Sequence, residues 1–356
     1  MRERAPHPTE SDGGALLHVS ATWVNVAVSF AGLHLIRPDA QVARLPHAFR
    51  QNHVPGAAIQ ADAHALLCVA ADQRVDLESE LHRQREHMSS ISVHEVMTLY
   101  GDTLPGASRG HEHFGFKDAI SQPRIAGTDW GCGQPVASGE FVLGYRDQSG
   151  QISGADLPDW AQNGSFLAFL QLQQHVATFW SSMRQQAQQL GVQPDEVAAW
   201  IVGRTQDGTL LANPPSRLSH TGRAYARWLP PSESLRHRIL RRGIPYGPPW
   251  SADEPDDTHD RGLLFVTYQA DLERQFEHVW TQLLNSADFP SPASGRDALV
   301  GQLNWPGQAT PGGVRRTVVS RTDRAGRAAN FSLPTFVTPR TGGYFFAPSI
   351  NSTLLE

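Results

Sequence analysis

The sequence predicts an α+β fold. Three observations point there. Short stretches of alternating or continuous apolar residues read as strands. Longer stretches with apolar residues three and four apart, bounded by capping residues, read as helices. The two kinds are interspersed without the strict alternation that a doubly wound parallel sheet demands.

Taken in order, residues 1 to about 18 hold no periodic pattern and read as a lead-in. Val24, Val26, Val28 and Phe30 alternate with Asn25, Ala27 and Ser29, the period of a half-buried strand. The run "HALLCVAA" (His64 to Ala71) reads as a second strand, and "VDLESELHRQREHM" as a helix with Leu77 and Leu81 on one face. "GEFVLGY" (Gly139 to Tyr145) reads as a strand. "GSFLAFLQLQQHVATFWSSMRQQAQQLG" reads as a helix capped by Ser165 and stopped by Gly191. "PDEVAAWIVG" reads as a helix from Pro194 to Gly203. Residues 146–163 and 245–260 read as loops. Leu263 to Val266 form a strand-like run ahead of a helix with Leu272, Phe276, Val279, Trp280 and Leu283 on one face. "TGGYFFAPSI" reads as a turn followed by a strand. Asp76-Leu77-Glu78 and Asp271-Leu272-Glu273 stand at the starts of two such helices. The match suggests an internal duplication of a strand-helix-strand module, set against the simpler reading of two unrelated strand-helix units.

The chain has 356 residues, which fits one large domain or two of ordinary size. Its formal net charge of -5 gives no reason to expect nucleic acid or an anionic membrane as a partner. No run of about 18 apolar residues appears, so no membrane span is expected. Two cysteines far apart, Cys68 and Cys132, argue against a cysteine zinc site and fit a reducing compartment. The start "MRERAPHPTESDGGALL" lacks an apolar core of signal-peptide length, and the expected location is cytoplasmic.

Several motifs fail on context. "GASRG" (Gly106 to Gly110) matches G-x-S-x-G, but neither a strand before it nor a helix after it is present, so Ser108 is not expected to be a hydrolase nucleophile. "HEH" (His111 to His113) and His94-Glu95 do not complete a metalloprotease motif and read as surface residues. No glycine-rich loop fits a nucleotide. What remains is a carboxylate, Asp118, in "HEHFGFKDAISQPRI", and two basic clusters. "SRLSHTGRAYAR" places His220 among Arg217, Arg223 and Arg227; "LRHRILRRGIPYG" holds Arg236, Arg238, Arg241 and Arg242. By composition alone these are charged surface stretches.

Together and in order, these segments resemble the dye-decolorizing-type haem peroxidases. "FGFKDAISQP" is similar to that family's G-x-x-D-G loop with its trailing I-S-Q-P. "GEFVLGY", "NGSFLAFLQLQQHVATFW" and "VGRTQDGTLL" are similar to the segments that follow. "HTGRAYAR" resembles the segment opening with the proximal histidine, and "RILRRGIPYG" the one carrying the distal arginine. The helical stretch from Arg261 to Asn285 and "FVTPRTGGYFFAPSI" complete a series running from about Val24 to Ile350.

The resemblance implies two ferredoxin-like modules, each an antiparallel sheet with packed helices, in the dimeric α+β barrel-like superfamily. The expected division is residues 19–192 with the distal acid and residues 193–356 with the proximal histidine and distal arginine. It implies haem b as cofactor, His220 as the axial iron ligand, and Asp118 and Arg241 as catalytic residues on the distal side. The implied partners are hydrogen peroxide and an organic reductant, with electrons relayed by a surface Tyr or Trp; homo-oligomerisation is left open.

The chain departs from the family at four places. Ala119 stands where the family loop has Gly, and Gly243 where some members have Asn. The approach "NPPSRLSH" lacks Cys-Pro-x-x-x-His, and "TGRAYAR" keeps Arg223 and Arg227 without the Asn-Pro. These departures keep a second reading open: a specialised or degenerate haem-binding relative, with weak or no peroxidase activity, acting on a particular metabolite.

Overall fold

The computed structural model describes residues 21–38, 40–59, 63–128, 130–211, 231–253, 259–289, 295–302, 315–322 and 328–355. The strands in chain order are β1 Thr22–Val28, β2 Ala58–Ile59, β3 Ala65–Ala71, β4 Pro123–Ile125, β5 Cys132–Val136, β6 Ser165–Gln174, β7 Leu240–Arg241, β8 Ile244–Tyr246, β9 Gly262–Gln269, β10 Arg315–Thr322, β11 Ala328–Leu333 and β12 Val337–Ala347. The α-helices are α1 Phe30–Ile36, α2 His47–Gln51, α3 Arg74–Ser90, α4 Val176–Leu190, α5 Pro194–Val202 and α6 Pro231–Arg236; a helix of π type covers Leu272–Leu284. Antiparallel sheet and helices are both abundant, and the α+β class is borne out.

Two compact units divide the chain. The smaller comprises Met1–Asn25 and Leu67–Glu95. Its α3 matches the expected helix but buries no residue fully; Leu77 and Leu81 are partly buried. Exposed pairs such as Arg74 with Glu78, 3.4 Å apart, line its surface and contribute a few tenths of a kcal/mol each.

The larger unit, Val26–Leu66 with Val96–Glu356, is organised by three long strands. β6 lies between β12 and β9, antiparallel to both, with Ala168 opposite Tyr344 and Thr267. β7 and β8 pair with β9 further along, and Val28 of β1 stands opposite Phe346. Nearly every residue of β6 is buried, because a strand in mid-sheet with side chains packed on both faces has no solvent side. On one face Phe49, Phe166, Phe179, Phe276, Phe336, Tyr344 and Phe346 form the main core; on the other Leu167, Phe169, Tyr246 and Phe345 pack together.

Three local expectations are corrected. The helix expected from Ser165 begins only at Val176; Ser165–Gln174 is strand. A continuous apolar run such as "FLAFL" has no period that separates a buried strand from a buried helix. The C-terminal stops at Gly191 and Gly203 were placed correctly, as both close their helices in the left-handed conformation. "GEFVLGY" is not a strand: a short 3-10 turn at Ser138–Glu140 leads into tight turns, with Gly144 at φ +89°. Phe141 and Leu143 are nevertheless core residues, and buried Glu140 accepts from Arg274 Nη2 at 2.9 Å. Finally, "TGGYFFA" lies inside β12, where the register with β6 shifts between Pro339 and Gly342, so the glycines mark a bulge and not a turn.

The two Asp-Leu-Glu triplets do not stand at equivalent places. Asp271 is the N-cap of its helix and accepts from Arg274 N–H at 2.9 Å. Asp76 already lies within the first turn of α3. Asp is favoured at both positions, by capping and by the helix dipole, so the match needs no common origin.

α4 presents Val176, Phe179, Met183 and Ala187 to the core. Phe179 is fully buried, with ring centroids 4.5 Å from Phe114 and 5.2 Å from Phe336. Phe179→Ala is therefore expected to lower the unfolding free energy by about 3–5 kcal/mol, read from denaturant midpoints. A loss under about 1 kcal/mol would show that this aromatic cluster does not organise the core.

Candidate active site around the Asp118 loop

The segment that singled itself out in the sequence folds into a compact bend. Glu112 N–H donates to Phe116 O at 3.0 Å, and Gly115 N–H donates to Glu112 O at 2.9 Å. The Glu112 carboxylate turns back on the same bend and accepts from the N–H groups of Phe114 and Phe116, both at 2.9 Å. It also accepts from the side-chain amide of Gln174 on β6. Phe114 and Phe116 are buried and anchor the bend in the core. Gly115 has φ +93°, a conformation that favours glycine at this turn.

Past the bend, Lys117 N–H donates to Gln206 O and Asp118 N–H to Gly110 O, each at 2.9 Å. Asp118 is partly buried, and its Oδ1 accepts from Ala119 N–H at 2.6 Å. Ala119 and Ser121 both have φ +59°. The family glycine is thus replaced at a position that does adopt the left-handed conformation, which costs a non-glycine residue roughly 1–2 kcal/mol.

Gln122 closes the loop. It is buried, and its side chain donates to Arg241 O at 3.0 Å and accepts from Arg241 N–H at 3.2 Å. That pair ties the loop to β7. The Arg241 side chain turns toward the loop, where Nη2 donates to Ile120 O at 2.8 Å. Arg238 Nη2 donates to Ser121 O at 3.2 Å and Arg204 Nη2 to Ser121 Oγ at 2.6 Å. Burial lowers the Arg241 pKa, the negative charge of Asp118 opposes that shift, and Arg238 and Arg204 add to it. A guanidinium stays charged throughout, so three fixed cations reach the segment that carries Asp118.

Asp118 and Arg241, far apart in sequence, are therefore brought to one loop. His220, with Arg223 and Arg227, lies outside the described residues. Gln122, Arg204 and Arg238 were not singled out by role, although Gln122 sits in "ISQP" and Arg204 in "VGRTQDGTLL". Glu112 was read only as part of a weak "HEH" metal pattern. His111 forms an isolated bridge with Lys117, whereas His113, expected at the surface, is buried and contacts Tyr246 O through Nε2 at 2.8 Å. Among the described residues, no group of three or more His, Cys, Asp and Glu is placed to hold a metal ion, and no helix is long and apolar enough to cross a membrane.

Two predictions follow the geometry. Ala119→Gly relieves the left-handed strain and is expected to raise stability by about 0.5–1 kcal/mol in chemical denaturation, after the extra backbone entropy of glycine is subtracted; a loss of stability would contradict the strain. Burial, reinforced by Asp118, pushes the Glu112 carboxyl up to about 7. The folded state then holds a proton that the unfolded state releases near pH 4.5. That contribution to stability is complete below pH 4.5 and lost as pH rises through about 7. Glu112→Gln should flatten this part of the stability–pH curve, and an unchanged slope would assign it to another group.

Comparison with known proteins places this chain in a family. The model of the family described as "Dyp-type peroxidase, C-terminal" matches residues 145–291. Peroxidase 2 of Mycetinis scorodonius is 30% identical over 335 residues, which is 81% of this chain and 64% of that protein. The chain thus spans less than two thirds of the length of that relative. Among solved structures, an ancestral D-type dye decolorizing peroxidase superposes with a TM-score of 0.79 at 30% identity, covering 95% of this chain and 87% of the other. A dye-decolorizing peroxidase in complex with 2,6-dimethoxyphenol superposes with a TM-score of 0.71 at 27% identity, covering 94% and 86%. With the fold and motif order in agreement, this chain belongs to the dye-decolorizing peroxidase family.

Proposed function

We propose that this chain is a haem b-dependent peroxidase that reduces hydrogen peroxide and oxidises an organic donor. The observation that carries the reading is that the Arg241 side chain reaches from β7 to Ile120 O, on the loop that carries Asp118, close enough to feel the charge of that carboxylate. The cofactor is tested against the same residues. A porphyrin that carries carboxylates suits a loop surrounded by Arg204, Arg238 and Arg241, and peroxide chemistry on its open face needs both an acid–base group and a cation. The described residues fit. In this reading residues 19–192 supply Asp118 and residues 193–356 supply Arg241 and the axial ligand, His220.

When bound, haem would supply the redox-active iron that gives electrons to peroxide and takes them back from the organic donor. Asp118 accepts the proton from one peroxide oxygen and returns it to the other, so that the leaving oxygen departs as water. Its Oδ1 is oriented by Ala119 N–H, which fixes the carboxylate before peroxide arrives. Arg241 balances the negative charge that develops as the O–O bond breaks. Its position is fixed at the backbone by Gln122 and at the side chain by Ile120 O, so little reorganisation is needed at the moment of reaction. The donor class is phenolic, by likeness to the relative solved with 2,6-dimethoxyphenol.

The second reading, a haem-binding relative with weak activity, is favoured by the left-handed Ala119 beside the catalytic acid. One experiment separates the two. In haem-loaded protein, Asp118→Asn and Arg241→Leu are each expected to slow the bimolecular reaction with peroxide by about 10²–10⁴-fold while haem content is retained. A fast parent rate that both variants keep would overturn the assignment. A parent rate already as slow as the variants would favour the second reading.

A further inference from the structure

The Asp118 loop has a second carboxylate whose place in the reaction is unassigned. We propose that Glu112 is a positioning residue for Asp118: its ionised carboxylate holds the bend from Glu112 to Asp118 in the shape that presents Asp118 beside Arg241. This rests on the catalytic reading of Asp118.

The geometry is that of a clamp. Three N–H donors converge on the one carboxylate: Phe114 N–H and the Gln174 amide on Oε2, and Phe116 N–H on Oε1. Two of the donors belong to the bend itself, and the third, Gln174, belongs to β6 in mid-sheet. The bend is thereby fastened to the most deeply packed strand of the larger unit. Phe116 is two residues from Asp118, and the next tie, Asp118 N–H to Gly110 O, closes the segment. Gln174 carries its own backbone anchor, donating its N–H to Arg261 O at 2.9 Å.

A carboxylate suits three donors only while it is ionised. When protonated, one oxygen becomes a hydroxyl, a weaker acceptor whose hydrogen must find room among the N–H groups. Oε1, with a single donor, is the site where that proton does least harm, and the bond it displaces is the one to Phe116, nearest Asp118. Among the charged groups around Glu112, Asp118 acts on it from the same segment; Gln174 from β6 and the two backbone amides are neutral. Burial and Asp118 together bring the ionisation to about 7. The charge costs the fold stability, yet the three hydrogen bonds to the bend are complete only in the ionised form, so above this ionisation peroxide activation gains a positional contribution distinct from the proton transfer at Asp118 itself.

The test uses the full chain, with and without haem. Without haem, hydrogen exchange of the Phe114 and Phe116 amides is expected to be at least about 10-fold faster in Glu112→Gln, because one amide oxygen replaces an acceptor for three donors. With haem, the peroxide rate of the parent should rise in a step centred near 7. Glu112→Gln should lose that step and run roughly 10- to 100-fold slower above it, the scale expected for misplacing a catalytic group by about 1 Å. Glu112→Asp, which keeps the charge, should recover part of the step. Asp118→Asn serves as the control: a slow rate at every pH with parent-like exchange at Phe114 and Phe116. Faster exchange in Glu112→Gln with an unchanged rate and step would make Glu112 structural only and overturn the proposal. Parent-like exchange and rate together would overturn it as well. A parent-like rate in Asp118→Asn would sink the catalytic reading of Asp118 first, and the positioning role with it.

Discussion

The side chain of Gln122 acts as a strand. Its amide oxygen accepts from Arg241 N–H and its amide nitrogen donates to Arg241 O, the exchange that a neighbouring residue in an antiparallel ladder would make. β7 is only two residues long and pairs with β9 on one side. Without Gln122 the polar backbone of Arg241 on the other side would meet the interior of the loop unpaired, at a cost of about 1–3 kcal/mol for each buried group. With it, the loop that carries Asp118 and the strand that carries Arg241 are registered to one another at the level of the main chain.

That registration makes the electrostatics of the site tolerable. Burying Arg241 is unfavourable unless its charge is opposed and its donors are used. Asp118 supplies the opposing charge and Ile120 O takes one donor. Arg204 and Arg238 stabilise the same loop through Ser121, while their charge works against Arg241. Three guanidinium groups gathered at the Asp118 end of the loop are well suited to an anionic guest. The left-handed Ala119 and Ser121 belong to the same pattern: strain is concentrated where the loop must turn sharply around the arginines.

Much of this was legible in the sequence, and the remainder was hidden for identifiable reasons. Asp118 and Arg241 stood out because their neighbours keep a family's order of motifs, not because either residue is unusual by composition. The helix stops at Gly191 and Gly203 were visible because glycine after an apolar helix face is a local signal; the alternation from Val24 located a strand but not its buried face, since Val24 and Val26 are exposed and Phe30 opens α1. β6 was misread because a run buried on both sides has no periodicity to read. "GEFVLGY" was misread because its turns are set by contacts with distant segments, such as Leu143 N–H to Gly164 O and Ala270 N–H to Glu140 O. Glu112 and Gln122 were hidden for a similar reason. Each acts through hydrogen bonds to main-chain groups, and nothing about the residue type shows which main-chain groups will come near it.

The most direct test of the account is an absorption spectrum of the purified protein supplemented with haem, recorded beside His220→Ala and repeated after one equivalent of hydrogen peroxide. The account predicts a Soret band that is lost or strongly altered in the variant, and a rapid shift of that band in the parent when peroxide is added. A Soret band indifferent to peroxide would contradict the claim that Asp118 and Arg241 are poised to activate it. No Soret band in the parent would show that the fold no longer holds the group around which this loop is built.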